Sequence, residues 1–203
     1  MTTYKLNSPV EAWIDPIKGS KFLGWAVPCT EGDLRQKLAE AKKRWPDVSH
    51  HCWAWVGQSE SDQKFSDDGE PSGSAGRPIL NVLVGQALRN TLIVVVRWYG
   101  GTKLGTGGLV RAYGGAANQA LAEAELIEIV PMARFAFICP YDKWPALEHR
   151  LQGLGVVEPD LQFDTKVSGH FEAPMSITAK IQAAVEAHYP AAMVETDEGS
   201  STS

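Results

Sequence analysis

Two stretches of the chain hold the residues best able to do chemistry. RWYGGTKLGTGGLVRAYGG, residues 97–115, sets Arg97, Lys103 and Arg111 among glycines, and FSDDGEPSG, from Phe65, places Asp67, Asp68 and Glu70 within four positions. A glycine turn leading from a strand into a helix offers free backbone N–H groups, and nearby cations add charge-assisted hydrogen bonds. The first stretch therefore suits an anion. It is not a Walker A loop, because no Gly-Lys-Ser/Thr follows at the required spacing, and Val110 stands where a dinucleotide fingerprint needs its third glycine or alanine. The same glycines would equally permit a tight strand-to-helix connection whose cations are merely solvated.

The acidic cluster allows three uses: a divalent metal, acid-base chemistry, or a brace against Arg97, Lys103 or Arg111. Its spacing does not fit a calcium loop, and the brace is the favoured reading. His50, His51 and Cys52 lie on one predicted strand, where neighbours face opposite sides. One histidine is expected to reach the loops while Cys52 fills the core. No second Cys/His cluster completes a zinc site, and no motif calls for a cofactor. Among the aromatics, Trp53, Trp55 and Trp98 read as core residues, and Tyr99 reads as the side chain placed for stacking on a base.

The surrounding pattern supplies the elements that must position these groups. Strands are predicted at 10–14 and 21–27 around the turn DPIKGS, and a helix follows in TEGDLRQKLAEAKKRWP, with Thr30 capping its start. HHCWAWVG reads as a strand, and QSESDQKFSDDGEPSGSAG as a long polar loop. Pro78 begins a helix whose apolar face runs from Ile79 to Leu88, and TLIVVVRW is a central strand covered on both faces. A further helix begins after the glycine loop. Gly114 and Gly115 weaken it and imply a close neighbour there. A short strand at 126–130 ends at Pro131. Beyond it, RFAFICP, YDKWPALEHRLQGLG, VVEPDLQF, KVSGHFEAP, SITAKIQAAVEAHY and AAMVE follow a β-α-β-β-α-β order, that of a ferredoxin-like unit. Two domains are expected, 1–131 and 132–203, with a disordered tail from about residue 196.

Composition narrows the class. The 203 residues are 44% hydrophobic and 21% charged, ordinary for a folded domain. The sequence shows no signal-like segment and no apolar run approaching the ~20 residues of a membrane span, so a cytoplasmic protein without a membrane role is expected. Cys29, Cys52 and Cys139 form no CxxC pair and read as small core residues. The net charge of −5 is confined to the last third: residues 1–131 hold fourteen Lys and Arg against fourteen Asp and Glu, whereas 132–203 hold five against ten. Between residues 71 and 122 lie Arg77, Arg89, Arg97, Lys103 and Arg111 with no acid. If they converge, they attract an anion.

FSDDGEPSGSAGRPIL, VVVRWYGGTKLGTGGLVRAYGGA, SHHCWAW and the early GSKF together resemble the YigZ/IMPACT family. The resemblance spans the first domain. It implies an α+β protein, with a ribosomal protein S5 domain-two-like first domain followed by a small ferredoxin-like domain, a pair similar to the last two domains of elongation factor G. It thereby implies contact with the ribosome or structured RNA. Eukaryotic members regulate translation by competing for the activator of a kinase, largely through an additional amino-terminal domain, so kinase inhibition is not carried over. The motif residues that carry over as binding candidates are His51, Asp67, Asp68, Glu70, Arg97, Tyr99, Gly100, Gly101, Lys103, Gly105, Gly107, Gly108 and Arg111. No catalytic residue and no metal ligand carries over. The leading expectation is a non-enzymatic RNA- or ribosome-binding protein acting in translation regulation. The alternatives are a hydrolase or transferase working on a phosphate-bearing small molecule in the same loops, and an adaptor holding a protein partner through the acidic second domain.

Overall fold

The structure, a computed structural model, describes residues 2–156 and 160–196. The chain is α+β and divides into two compact units, Met1–Ile129 and Val130–Ser203. The expected tail lies outside the described residues from residue 197 onward. No helix among the described residues is long and apolar enough to cross a membrane.

The first unit is built on strands β2 (Val10–Ile17), β3 (Ser20–Pro28), β4 (His50–Val56), β5 (Gln63–Ser66) and β6 (Thr91–Trp98), which form one sheet in the order β2-β3-β6-β4-β5. All of its pairings are antiparallel. The predicted first strand continues to Ile17, and the hairpin turn shrinks to Lys18 and Gly19, both at positive φ. Helices α2 (Gly76–Gly85) and α3 (Thr106–Ala122) cover one face, and α1 (Leu34–Arg44) lies on the other. Strand β6 is central and buried on both sides, which explains its unbroken apolar run. Its Leu92, Val94 and Val96 join the α1 face, and Ile93 and Val95 join the α2/α3 face.

Four local expectations change. The polar loop contains β5, whose pairing with β4 rests largely on backbone because three of its four residues are exposed. Strand β1 (Thr3–Leu6) pairs with β7 (Leu126–Ile129) in a separate ribbon. Thr30 does not cap α1: its hydroxyl donates to Asp33 at 2.6 Å, because the helix starts three residues later than the cap would require. The close approach expected at Gly114 and Gly115 is absent. It occurs on the sheet, where a Cβ on Gly24 would lie 2.4 Å from the Ala116 carbonyl oxygen, while Gly115 has nothing within 4 Å.

The second unit orders β8 (Met132–Cys139), β9 (Asp160–Phe163), β10 (Val167–Pro174) and β11 (Ala192–Glu195) as β11-β8-β10-β9. Helices α4 (Trp144–Gly153) and α5 (Thr178–Glu186) pack on the alternate inward residues Phe135, Phe137, Val167 and Phe171. This is the ferredoxin-like arrangement, and its β9 begins after residues 157–159, which lie outside the described residues.

Candidate functional site

Three strands in register build the floor of a cleft. Phe22 of β3 and His50 of β4 both pair with Arg97 of β6, on the face that carries α2 and α3. The strand alternation that buries Ile93 and Val95 also buries Arg97, leaving it 4% exposed. A buried guanidinium is costly unless paired, and here Glu70 reaches in from the acidic loop. Arg97 Nη1 donates to Glu70 Oε1 at 2.5 Å, and Tyr113 Oη of α3 donates to the same oxygen at 2.7 Å. Arg97 Nη2 donates to Ser20 Oγ at 3.2 Å, and its buried Nε has no partner among the described residues. The acidic and glycine loops thus share one cleft, joined by an ion pair whose two side chains are each 5% exposed.

The other carboxylates are engaged by backbone. Asp67 accepts hydrogen bonds from the amides of Gly73 at 2.8 Å, Ala75 at 2.9 Å and Gly76 at 2.8 Å, closing the start of α2. Partial burial would raise its pKa, but these three donors outweigh that effect and hold it below the usual carboxylate value. Asp68, at φ 42°, accepts from the His51 amide at 2.6 Å. The expected brace against a cation of the glycine loop is made by Glu70, whereas Asp67 and Asp68 hold backbone amides instead. Among the described residues, no group of three or more His, Cys, Asp or Glu side chains could hold a metal ion.

Both histidines of β4 reach the acidic loop: the His51 amide holds Asp68, and His51 Nδ1 lies 4.0 Å from Asp68 Oδ2. The His51 ring lies on the other face of β4, bonded to the Trp45 carbonyl at 3.0 Å, and burial lowers its pKa. His50 lines the cleft. Its Nδ1 lies 2.8 Å from the Asp68 carbonyl oxygen, which can only accept, so Nδ1 carries a proton, and Nε2 lies 3.8 Å from Glu70 Oε1. Cys52, on the same face, donates to the Asp67 carbonyl at 3.0 Å, and burial pushes its thiol up to about 12. That thiol is no nucleophile at neutral pH.

The glycine loop forms the opposite wall. Gly100 is a packing residue: a Cβ there would lie 1.9 Å from the Gly19 carbonyl carbon, and its amide donates to Ser20 Oγ at 3.2 Å. Gly101 follows at positive φ. Gly105 stands before α3 at φ 74°, ψ 162°, a conformation confined essentially to glycine. Among the described residues no side chain caps this 17-residue helix, and the first amide to close its ladder is Leu109, which donates to the Gly105 carbonyl at 2.9 Å. Gly107 and Gly108 lie in its first turn, the former exposed and the latter half-buried. Lys103, Leu104, Gly105 and Thr106 line the cleft, as does Tyr99 at the rim, 48% exposed and 5.3 Å from the Arg97 guanidinium. The cleft volume is about 580 Å³.

The five cations of the acid-free stretch do not converge. Arg77 lies over the Phe65 ring at 4.6 Å, Arg89 pairs with Glu60 at 3.1 Å, and Arg111, exposed one turn along α3, is not among the lining residues. Sequence reasoning did not select His50, Leu104, Thr106 or Leu109 as candidates. For His50 the usable signal was its i, i+2 relation to Cys52, which places both on one side of the strand.

The model of the Impact N-terminal domain matches residues 18–121. The IMPACT family member YigZ of Escherichia coli is 34% identical over 205 residues, covering 94% of this chain and 96% of that protein. An IMPACT family member of Haemophilus influenzae is 42% identical over 146 residues, 70% of each chain. A solved crystal structure described only as a hypothetical protein is similar at a TM-score of 0.65 and 30% identity, covering 98% of both chains.

Proposed function

The chain belongs to the IMPACT family, and from that premise we propose that it is a binding protein of translation whose cleft seats a phosphate of RNA. One observation carries the reading: an uncapped helix start, a lysine and an exposed aromatic ring meet in the same cleft. The helix end and Lys103 attract the anion, and Tyr99 offers a face on which a base stacks. The family's likeness to the last two domains of elongation factor G supports the ribosome as the place of action. Binding rather than chemistry is favoured by how the reactive groups are used. Glu70 serves Arg97 and Tyr113, Asp67 serves three amides, and the Cys52 thiol stays protonated.

The test is binding of single-stranded RNA and of ribosomes by the full chain, across salt, for wild type, Lys103→Ala and Tyr99→Ala. Salt-sensitive binding, weakened about tenfold by either change, is expected. No binding at low salt, or equal binding by all three proteins, overturns the reading. A hydrolase or transferase acting on a phosphate-bearing small molecule is favoured by one observation, an imidazole fixed through Nδ1 on the cleft wall with its Nε2 3.8 Å from the Glu70 carboxylate. A phosphoester screen with and without divalent metal, repeated with His50→Ala, tests it: turnover lost in the variant supports it, and no turnover in wild type removes it.

A further inference from the structure

We propose that the cleft is built for one phosphorylated nucleotide, a nucleoside 5′-monophosphate unit, and not for the running backbone of a strand; this rests on the anion reading above. A track along a backbone needs a row of free cations. Here Arg97 is neutralised by Glu70, Arg89 by Glu60, and Arg77 is laid over Phe65. Among the described residues lining the cleft, Lys103 is the one Lys or Arg without a carboxylate partner.

What the cleft offers matches a terminal phosphate. One lysine and a helix end of roughly half a positive charge stand against a phosphomonoester of about −1.5 to −2 at pH 7, which brings three acceptor oxygens. The remaining surface suits a nucleoside: Pro71, Leu104 and Leu109 are apolar walls, and the Tyr99 ring stands at the rim. A volume of about 580 Å³ is that of a small-molecule pocket.

The unit could be a free nucleotide or the 5′ end of an RNA, and the experiment separates them. Two oligoribonucleotides of one sequence, carrying a 5′-phosphate or a 5′-hydroxyl, are titrated by fluorescence anisotropy with the full chain, and AMP is titrated by calorimetry. The phosphorylated oligomer is expected to bind about tenfold more tightly, with a preference that Lys103→Ala erases and Lys103→Arg largely keeps. Equal affinity for the two oligomers overturns the inference and leaves the RNA reading standing. AMP binding that depends on Lys103, in a protein that holds neither oligomer, supports the nucleotide seat and overturns the RNA reading. Binding of none of the three overturns both.

Discussion

Two helices of the first unit begin beside the same cleft, and the chain finishes them differently. The first turn of α2 is met by Asp67, which accepts from three amides between residues 73 and 76. The first turn of α3 has no such partner among the described residues, and the glycine-only conformation of Gly105 bars a capping side chain from that position. Both helix ends carry the same partial positive charge. In α2 it holds a loop, and in α3 it is left facing the cleft. Acidic residues close together in sequence are thereby separated into those that serve the fold and a place where an external anion would serve instead.

Six substitutions test this contrast. The largest effect is expected from Glu70→Ala, which leaves Arg97 buried and unpaired and should lower stability by about 3–5 kcal/mol in urea unfolding. A loss under 1 kcal/mol would mean that the ion pair does not join the two loops. Next is Asp67→Ala, expected to cost about 2–3 kcal/mol because three amides lose their acceptor. Its pH dependence has a definite sign. The folded-state pKa is depressed, so this stabilisation is whole above the unfolded-state value of about 3.9 and is lost as pH falls through the lower folded-state value. Asp67→Asn should therefore lose less stability than wild type when urea unfolding is followed into acid.

Thr106→Asp supplies α3 with the carboxylate that α2 already has. It should raise stability by about 0.3–1 kcal/mol and weaken RNA binding, a divergence that thermal unfolding and anisotropy together would reveal. Tight binding by this variant would show that the anion sits elsewhere. Smaller still in stability is Lys103→Ala, expected within about 0.5 kcal/mol of wild type and yet defective in binding. Arg111→Ala, outside the lining residues, should be milder on both measures.

The elements that bury apolar residues with a regular period or in an unbroken run were legible in the sequence: β4, β6, α2, α3 and the strand-helix order of the second unit. Strand β5 was hidden because its exposed side chains give no such period and its partner is a backbone ladder. Strand β6 concealed the choice between His50 and His51. With apolar residues on both faces it shows no alternation, so nothing in the run reveals which side Arg97 takes, and β4 inherits its phase from that register. The meeting of Glu70 with Arg97 was anticipated as one of several braces. Its burial, and the neutralisation that follows, depended on Tyr113 arriving from α3.

The three cysteines carry a practical consequence. Cys29 and Cys52 lie in separate cores of the first unit, on opposite faces of its sheet, and Cys139 lies in the core of the second. All three thiols are buried, and burial raises their pKa, to about 11 for Cys29 and about 12 for Cys52. A thiol-specific reagent at neutral pH is thus silent toward the native protein and reacts only as the chain opens. The natural sequence already contains three internal clocks, two timing the opening of the first unit and one timing that of the second.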